Sequence, residues 1–175
     1  MQPHQPNFQF EVRAGTKSDL AAVAALFAAH YAWDLTSRDA GQAERLQKEL
    51  AGVACGGTLL AVAEARGEII GAALAVLDRD FAKYEPVPGR KTGYLSKNVV
   101  HEDFRGLGVG KMLVGARLQA LRALGVQVVY SSHHADNVGS AKALDAFGFE
   151  YVESYFDPEK RPTGSQRTTV RRVLV

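Results

Sequence analysis

Asn98-Val-Val-His-Glu-Asp-Phe-Arg105-Gly-Leu-Gly108-Val-Gly110-Lys111-Met-Leu113 sets the reading of the whole chain. The apolar run ending at Val100 predicts a strand. Val109, Met112, Leu113, Ala116 and Leu121 recur at helical spacing. Between the two lie Arg105 and three alternate glycines, Gly106, Gly108 and Gly110. Glycine in such a turn lets main-chain N–H groups approach a ligand with no Cβ in the way. At a helix start those groups lack intrahelical partners and sit at the positive end of the macrodipole. The turn is therefore an anion cradle suited to a phosphate or pyrophosphate, with Arg105 and Lys111 bracketing it. Two familiar phosphate loops do not fit. A Walker A loop needs glycine where Arg105 stands and Ser or Thr where Met112 stands. A dinucleotide fingerprint read from Gly106 needs a small residue at Lys111 and an acid some twenty positions on, where the chain reads Val-Val-Tyr-Ser-Ser.

Composition bounds the answer. The chain has 175 residues, 46% hydrophobic and 23% charged, as expected of one globular domain with a sizeable core. The formal charge, 21 − 19 = +2, is too small to argue for nucleic acid or an anionic membrane, and the Arg and Lys residues of 105–122 are scattered. A lone cysteine, Cys55, excludes an intrachain disulfide, argues against a cysteine-based metal site and suits a reducing, cytoplasmic setting. Met1–Pro6 has neither basic n-region nor apolar core, so no signal peptide is expected. No apolar run approaches the ~20 residues that cross a bilayer.

Outward from the loop, residues 1–7 read as a loose tail and 8–175 as the folded domain. Phe8, Phe10 and Val12 alternate as in a half-buried strand. Thr16-Lys-Ser-Asp19 is a capping-box-like start to a helix striped by Leu20, Val23, Ala24, Phe27 and Tyr31. A more polar helix is expected from Arg38 or Asp39 to Leu50, closed by the small residues Gly52 to Gly57. Thr58–Glu64 and Glu68–Leu77 predict an antiparallel hairpin. A polar excursion, Asp78–Thr92, leads into the strand Gly93–Val100. The helix after the loop should stop at Gly125. Val126–Ser132 predicts a strand reached by a right-handed parallel crossover. A helix over Asn137–Phe147 and strands over Tyr151–Phe156 and Thr168–Leu174 complete an α/β fold with a mixed sheet.

Arg105-Gly-Leu-Gly108-Val-Gly110 resembles the acyl-coenzyme A loop of the GNAT-type N-acetyltransferases: Arg or Gln, two residues, Gly, one residue, Gly or Ala. The element order and the placing of Asn137 and Gly148-Phe149 resemble that family too, over about Phe8 to Leu174. The resemblance implies a mixed central sheet of six to seven strands, flanked by about four helices and splayed between the fourth and fifth strands. It implies acetyl-coenzyme A as cosubstrate, with pyrophosphate on the N–H groups of Arg105, Gly106, Leu107, Gly108, Val109, Gly110 and Lys111. The pantetheine arm would pair with the strand at Val99 and Val100, and Asn137 and Ser140 would hold it. A main-chain N–H near Val100 would polarise the thioester carbonyl.

Two positions depart from the family pattern. Leu144 stands where many members carry a tyrosine that protonates the departing thiolate, and members of the ribosomal-protein-acetylating type are more similar here. The strand Gly93–Val100 has no acid, although Glu102 and Asp103 lie just beyond. The proton leaving the acceptor amine is therefore expected to pass to His133, His134, Glu102 or a water chain. The expected activity is direct acetyl transfer to a primary amine of a small molecule or peptide in a ternary complex, with selectivity in Tyr31–Arg38 and Asp78–Arg90. Asp34, Asp78, Asp80 and Glu85 could attract a cationic amine. A non-catalytic acyl-coenzyme A-binding module is the competing expectation, distinguished by the lack of turnover. The acceptor's identity and any homodimer are left open by the sequence.

Overall fold

The computed structural model describes residues 8–33, 41–77, 82–84 and 89–175. Along them run β1 (Glu11–Ala14), α1 (Leu20–Trp33), α2 (Gln42–Cys55), β2 (Thr58–Ala65), β3 (Glu68–Leu77), β4 (Thr92–Val100), α3 (Val109–Ala123), β5 (Val128–His134), α4 (Val138–Asp145), β6 (Glu150–Phe156) and β7 (Arg167–Leu174). The strands form a seven-stranded sheet in the order β1-β2-β3-β4-β5-β7-β6. Only β4 and β5 are parallel. This is the mixed sheet that the sequence predicts. The tail at 1–7 and most of the two expected selectivity segments, including Asp34, Asp78, Asp80 and Glu85, lie outside the described residues.

Strand alternation sorts the core into two layers. On one face Val23, Leu26 and Phe27 of α1 pack against Leu60, Val62, Ala72, Leu74 and Val99. On the other, Val109 and Leu113 of α3 meet Ala61, Ala63 and Ala73, while Val114, Leu118 and Leu121 meet Leu95, Val129, Leu144 and Phe149. Each large side chain buried this way is worth about 1.5–3 kcal/mol. The small alanines of β2 and β3 let α3 lie close to the sheet.

Three features differ from expectation. α2 continues through Gly52 to Cys55 and stops at the left-handed Gly56; the small residues expected to end it are compatible with helix until a positive φ is needed. The buried stripe of α3 is Val109, Leu113, Val114, Arg117, Leu118 and Leu121, and Met112 is half exposed. β5 starts two residues late, because the N–H groups of Val126 and Gln127 are held by Leu121 O and Lys91 O (3.1 and 2.9 Å). It then extends to His134, paired with Thr168 of β7.

A charged cluster fixes the entry to α1. Arg13 donates to both carboxylate oxygens of Asp19 (2.9 Å each) and to Glu64 (2.8 Å). Asp19 also accepts the Thr16 N–H (2.7 Å), the expected capping interaction. The hydrogen bonds from Arg13 hold the Asp19 carboxyl well below the usual carboxylate range. A depressed folded value means stability present above the ordinary range and lost as pH falls. Asp19→Asn is expected to cost about 1–2 kcal/mol at pH 7, with Arg13 partly exposed and its charge screened. In urea unfolding the gap between variant and wild type should narrow as pH falls below about 4; a gap that ignores pH would assign the effect to packing.

Candidate functional site

β4 and β5 pair only from Thr92↔Val128 to Leu95↔Ser131. Beyond that point β5 stays with β7 and β4 with β3 as far as Val100↔Gly71. A cleft of about 650 Å³ opens between them. The His101 N–H donates to Ile70 O (2.8 Å), and this fixes the phase of the β3–β4 ladder. Alternate residues, Val99 among them, turn their main chain to β3, while Asn98 and Val100 turn theirs into the cleft. Of the two strand residues expected to meet a ligand, Val100 is therefore the one that offers its main chain. The side chain of Val99 is buried against α1.

The opening is held from beneath by Arg117. Leu74 pairs with Lys97 and Ala75 with Leu95, leaving Ser96 as an extra, bulged residue. One guanidinium nitrogen of Arg117 donates to Leu74 O and to Lys97 O (2.9 Å each), and Nε donates to Leu113 O of its own helix (3.1 Å). Burial pushes this arginine down to about 9, so it remains protonated at neutral pH. The pattern of the sequence held no signal for it beyond a charge on the buried stripe of α3.

At one end of the cleft stands the glycine turn. Gly106 and Gly108 have φ of +75° and +84°, with nothing within 4 Å of the position a Cβ would take. Their first requirement is thus the left-handed backbone, and the space beside them is the cradle. The first bond of α3 runs from the Met112 N–H to Gly108 O (3.0 Å). The N–H groups of Val109, Gly110 and Lys111 consequently have no intrahelical acceptor. Arg105, expected to lend its charge to the ligand, folds back on the protein. Its Nε donates to Val100 O (3.1 Å) and its Nη2 lies 3.1 Å from His30 Nδ1. Asn98 Nδ2 donates to Gly110 O (3.1 Å), so strand and turn are tied together. The side chain of Leu107 is exposed and does not line the cleft. Asn137 accepts the Ser140 N–H (2.9 Å) and caps α4, and both residues line the cleft.

Both histidines reach the cleft with their ring nitrogens engaged. His133 donates from Nδ1 to His134 O (2.8 Å) and accepts at Nε2 from Arg171 Nε (3.1 Å). Burial, then the charges of Arg171 and Arg161, hold it below the ordinary histidine value. His134 donates from Nε2 to Thr163 O (2.8 Å) and accepts at Nδ1 from the Asp136 N–H (3.1 Å). In this arrangement neither offers a lone pair to an incoming amine. Glu102 sits on the exposed turn Glu102–Phe104, away from the cleft lining. Tyr151 and Tyr155 are exposed on β6, outside the lining, and Leu144 is buried in the core.

Glu49 of α2 is a residue that the sequence pattern did not single out. It is the one carboxylate among the described residues lining the cleft, and it accepts a hydrogen bond from Ser96 Oγ (2.8 Å). Nothing in the sequence foretells that a residue on a polar helix will meet the bulge of β4.

A sequence model of the Acetyltransferase (GNAT) family matches residues 24–149. The chain belongs to the GNAT acetyltransferase family. No curated protein sequence matches it. Solved structures share the fold of this GNAT chain at low identity. A ribosomal-protein-alanine N-acetyltransferase from Brucella melitensis is 21% identical, with a TM-score of 0.72 over 94% of this chain and 99% of its own. An N-acetyltransferase from Staphylococcus aureus Mu50 is 17% identical, with a TM-score of 0.71 over 95% and 98%. A GNAT superfamily phosphinothricin acetyltransferase from Sinorhizobium meliloti, in complex with acetyl-coenzyme A, is 17% identical, with a TM-score of 0.73 over 95% and 88%. Acetyl-coenzyme A is the family's cosubstrate, and the unpartnered N–H groups of the glycine turn fit its pyrophosphate.

Gly108→Val should lower acetyl-coenzyme A affinity by about a hundredfold or more, because a β-branched residue resists this φ and its side chain fills the cradle. Lys111→Ala should cost only about threefold, its exposed charge being screened. Calorimetric titration decides between them, and the opposite order would take the leading role from the backbone.

Proposed function

We propose that this acetyltransferase moves the acetyl group of acetyl-coenzyme A directly onto a primary amine in a ternary complex. The observation that carries the reading is one continuous cleft with an anion cradle at Gly106–Lys111, the main chain of Val100 at its wall, and Glu49 lining it. When bound, the cosubstrate supplies an acetyl thioester, and the amine forms the new C–N bond as the C–S bond breaks. The N–H of Val100 is placed to donate to the carbonyl oxygen as it gains charge. The carbonyl of Val100, in the next peptide unit, is held by Arg105.

An ammonium group cannot attack until it loses a proton. Glu49, oriented by Ser96 Oγ, is the acceptor that supports this step, directly or through one water. His133 and His134 shape the wall beside it, and Glu102 plays no part. Direct transfer is supported by the position of Cys55, the chain's single thiol, which is exposed at the end of α2 and does not line the cleft. Leu144 cannot return a proton to the leaving thiolate. A thiol with pKa of about 8.5, taking free cysteine as the model, can leave without that help.

Coenzyme A at about 100 times its Kd should stabilise the fold by about 2.7 kcal/mol, read as a thermal shift. Free-thiol release with a panel of amines then tests turnover; binding without release from any amine would favour the non-catalytic module. Glu49→Gln should lower kcat by about 10²–10⁴-fold and leave the KM for acetyl-coenzyme A within a few-fold. An unchanged kcat in a folded Glu49→Gln variant would exclude Glu49 as the base.

A further inference from the structure

The loop between β6 and β7 carries a group that acetyl transfer does not use. Arg161 lines the cleft and is only 8% exposed. Its Nε donates to Thr168 Oγ1 (3.1 Å), and Thr168 in turn donates to Asp157 Oδ2 (3.0 Å). Those are the side-chain bonds that place the guanidinium; among the described residues no carboxylate lies within ion-pair reach of it. Among the described residues its two terminal nitrogens have no hydrogen-bond partner. Every fully buried side-chain nitrogen or oxygen among the described residues has one, so these two keep some exposure, and Arg161 lines the cleft.

The loop is built to hold this arrangement. The Arg161 N–H closes a turn on Asp157 O (2.7 Å), and the Asp157 N–H donates to Gln166 O (2.8 Å). His134 grips Thr163 O, and Asp136 accepts the Ser165 N–H (2.8 Å). A buried cation fixed by its Nε, with both ends of its fork unused, is costly to leave without a counter-ion. The fork matches the two oxygens of a carboxylate. Other charged and polar groups face it without neutralising it. His133 is hydrogen-bonded in its neutral form, Lys160 adds positive charge to the same lining, and Asp157 stands behind the Thr168 hydroxyl.

From this the structure assigns Arg161 as the acceptor's anion subsite: the substrate is a small amine that also carries a carboxylate, of the amino-acid class. The assignment rests on the amine-acetylation reading above and deepens it. The amine is directed to Glu49 and the thioester, and the carboxylate to the two terminal nitrogens of Arg161. His134 becomes a positioning residue, since it holds the loop that carries the arginine.

The test compares α-, β- and γ-amino acids with their carboxamides, which differ only in the charged group. Two readouts are taken: binding to the coenzyme A-saturated protein by calorimetry, which needs no chemistry, and kcat/KM by thiol release. Wild type should favour the best acids over their amides by about a hundredfold, because a site built for a charged partner rejects the analogue lacking it. Arg161→Gln should bring that ratio to within about threefold, with Arg161→Lys between, as a point charge replaces a fork. Thermal unfolding of both variants shows which is folded. An acid-to-amide ratio near one in wild type, retention of the ratio in whichever variant folds, or no acid binding at ten millimolar would overturn the assignment. Selective acid binding without thiol release would instead uphold the subsite and remove the acetyl-transfer reading. Aminoalkylphosphonates form the remaining arm; if they beat the carboxylates in wild type, the subsite is for a tetrahedral anion and the amino-acid assignment fails.

Discussion

The parting of β4 from β5 after Leu95 and Ser131 is the constraint on which the site depends. A strand pair that separates inside a fold exposes main-chain donors and acceptors that must be satisfied. Here most are taken by the protein. Ser131 Oγ donates to Leu95 O, Arg105 takes Val100 O, and Arg117 takes Leu74 O and Lys97 O at the bulge. What remains are the N–H groups of Asn98 and Val100 and those around the glycine turn. Those are the groups left for a ligand.

Positive charge is used in two different ways around this opening. Arg105 and Arg117 are spent on carbonyls of their own chain and act as fasteners. Arg161 differs. Its loop is pinned by His134, Asp136 and Asp157, yet among the described residues the ends of its guanidinium have no partner. The histidines belong with the fasteners, because each ring nitrogen already serves a neighbour and a proton could be taken only by breaking a bond that holds the wall.

The sequence carried the fold well because its signals are local and redundant. The apolar runs of β2 and β3, the glycine turn, the stop at Gly125 and Asn137 before α4 each report a local preference that tertiary context did not override. The two elements misplaced at their ends, α2 and β5, are those whose termini are set elsewhere. β5 begins late because Lys91 O and Leu121 O capture the residues before it, and it runs on to His134 because β7 supplies a partner. Likewise Met112 fits the helical spacing of α3 but faces outward, since the sheet meets the helix along the line of Leu113, Val114 and Arg117.

By itself the sequence determined the order of elements, the strand that delivers the glycine turn, and the glycines Gly106 and Gly108, whose backbone is left-handed. Each of these is a property of a few adjacent residues. Only the tertiary structure decided which side chains meet across the cleft. Glu49 comes from α2, Ser96 from a bulge in β4, and Arg161 from the loop before β7, so no spacing in the chain relates them. The same separation decided the fate of His133, His134 and Glu102, whose chemistry suits a base at the end of a strand. Whether a side chain is free to react depends on what already holds it, and for each histidine one of the two partners, Arg171 or Thr163, comes from an element far away in sequence.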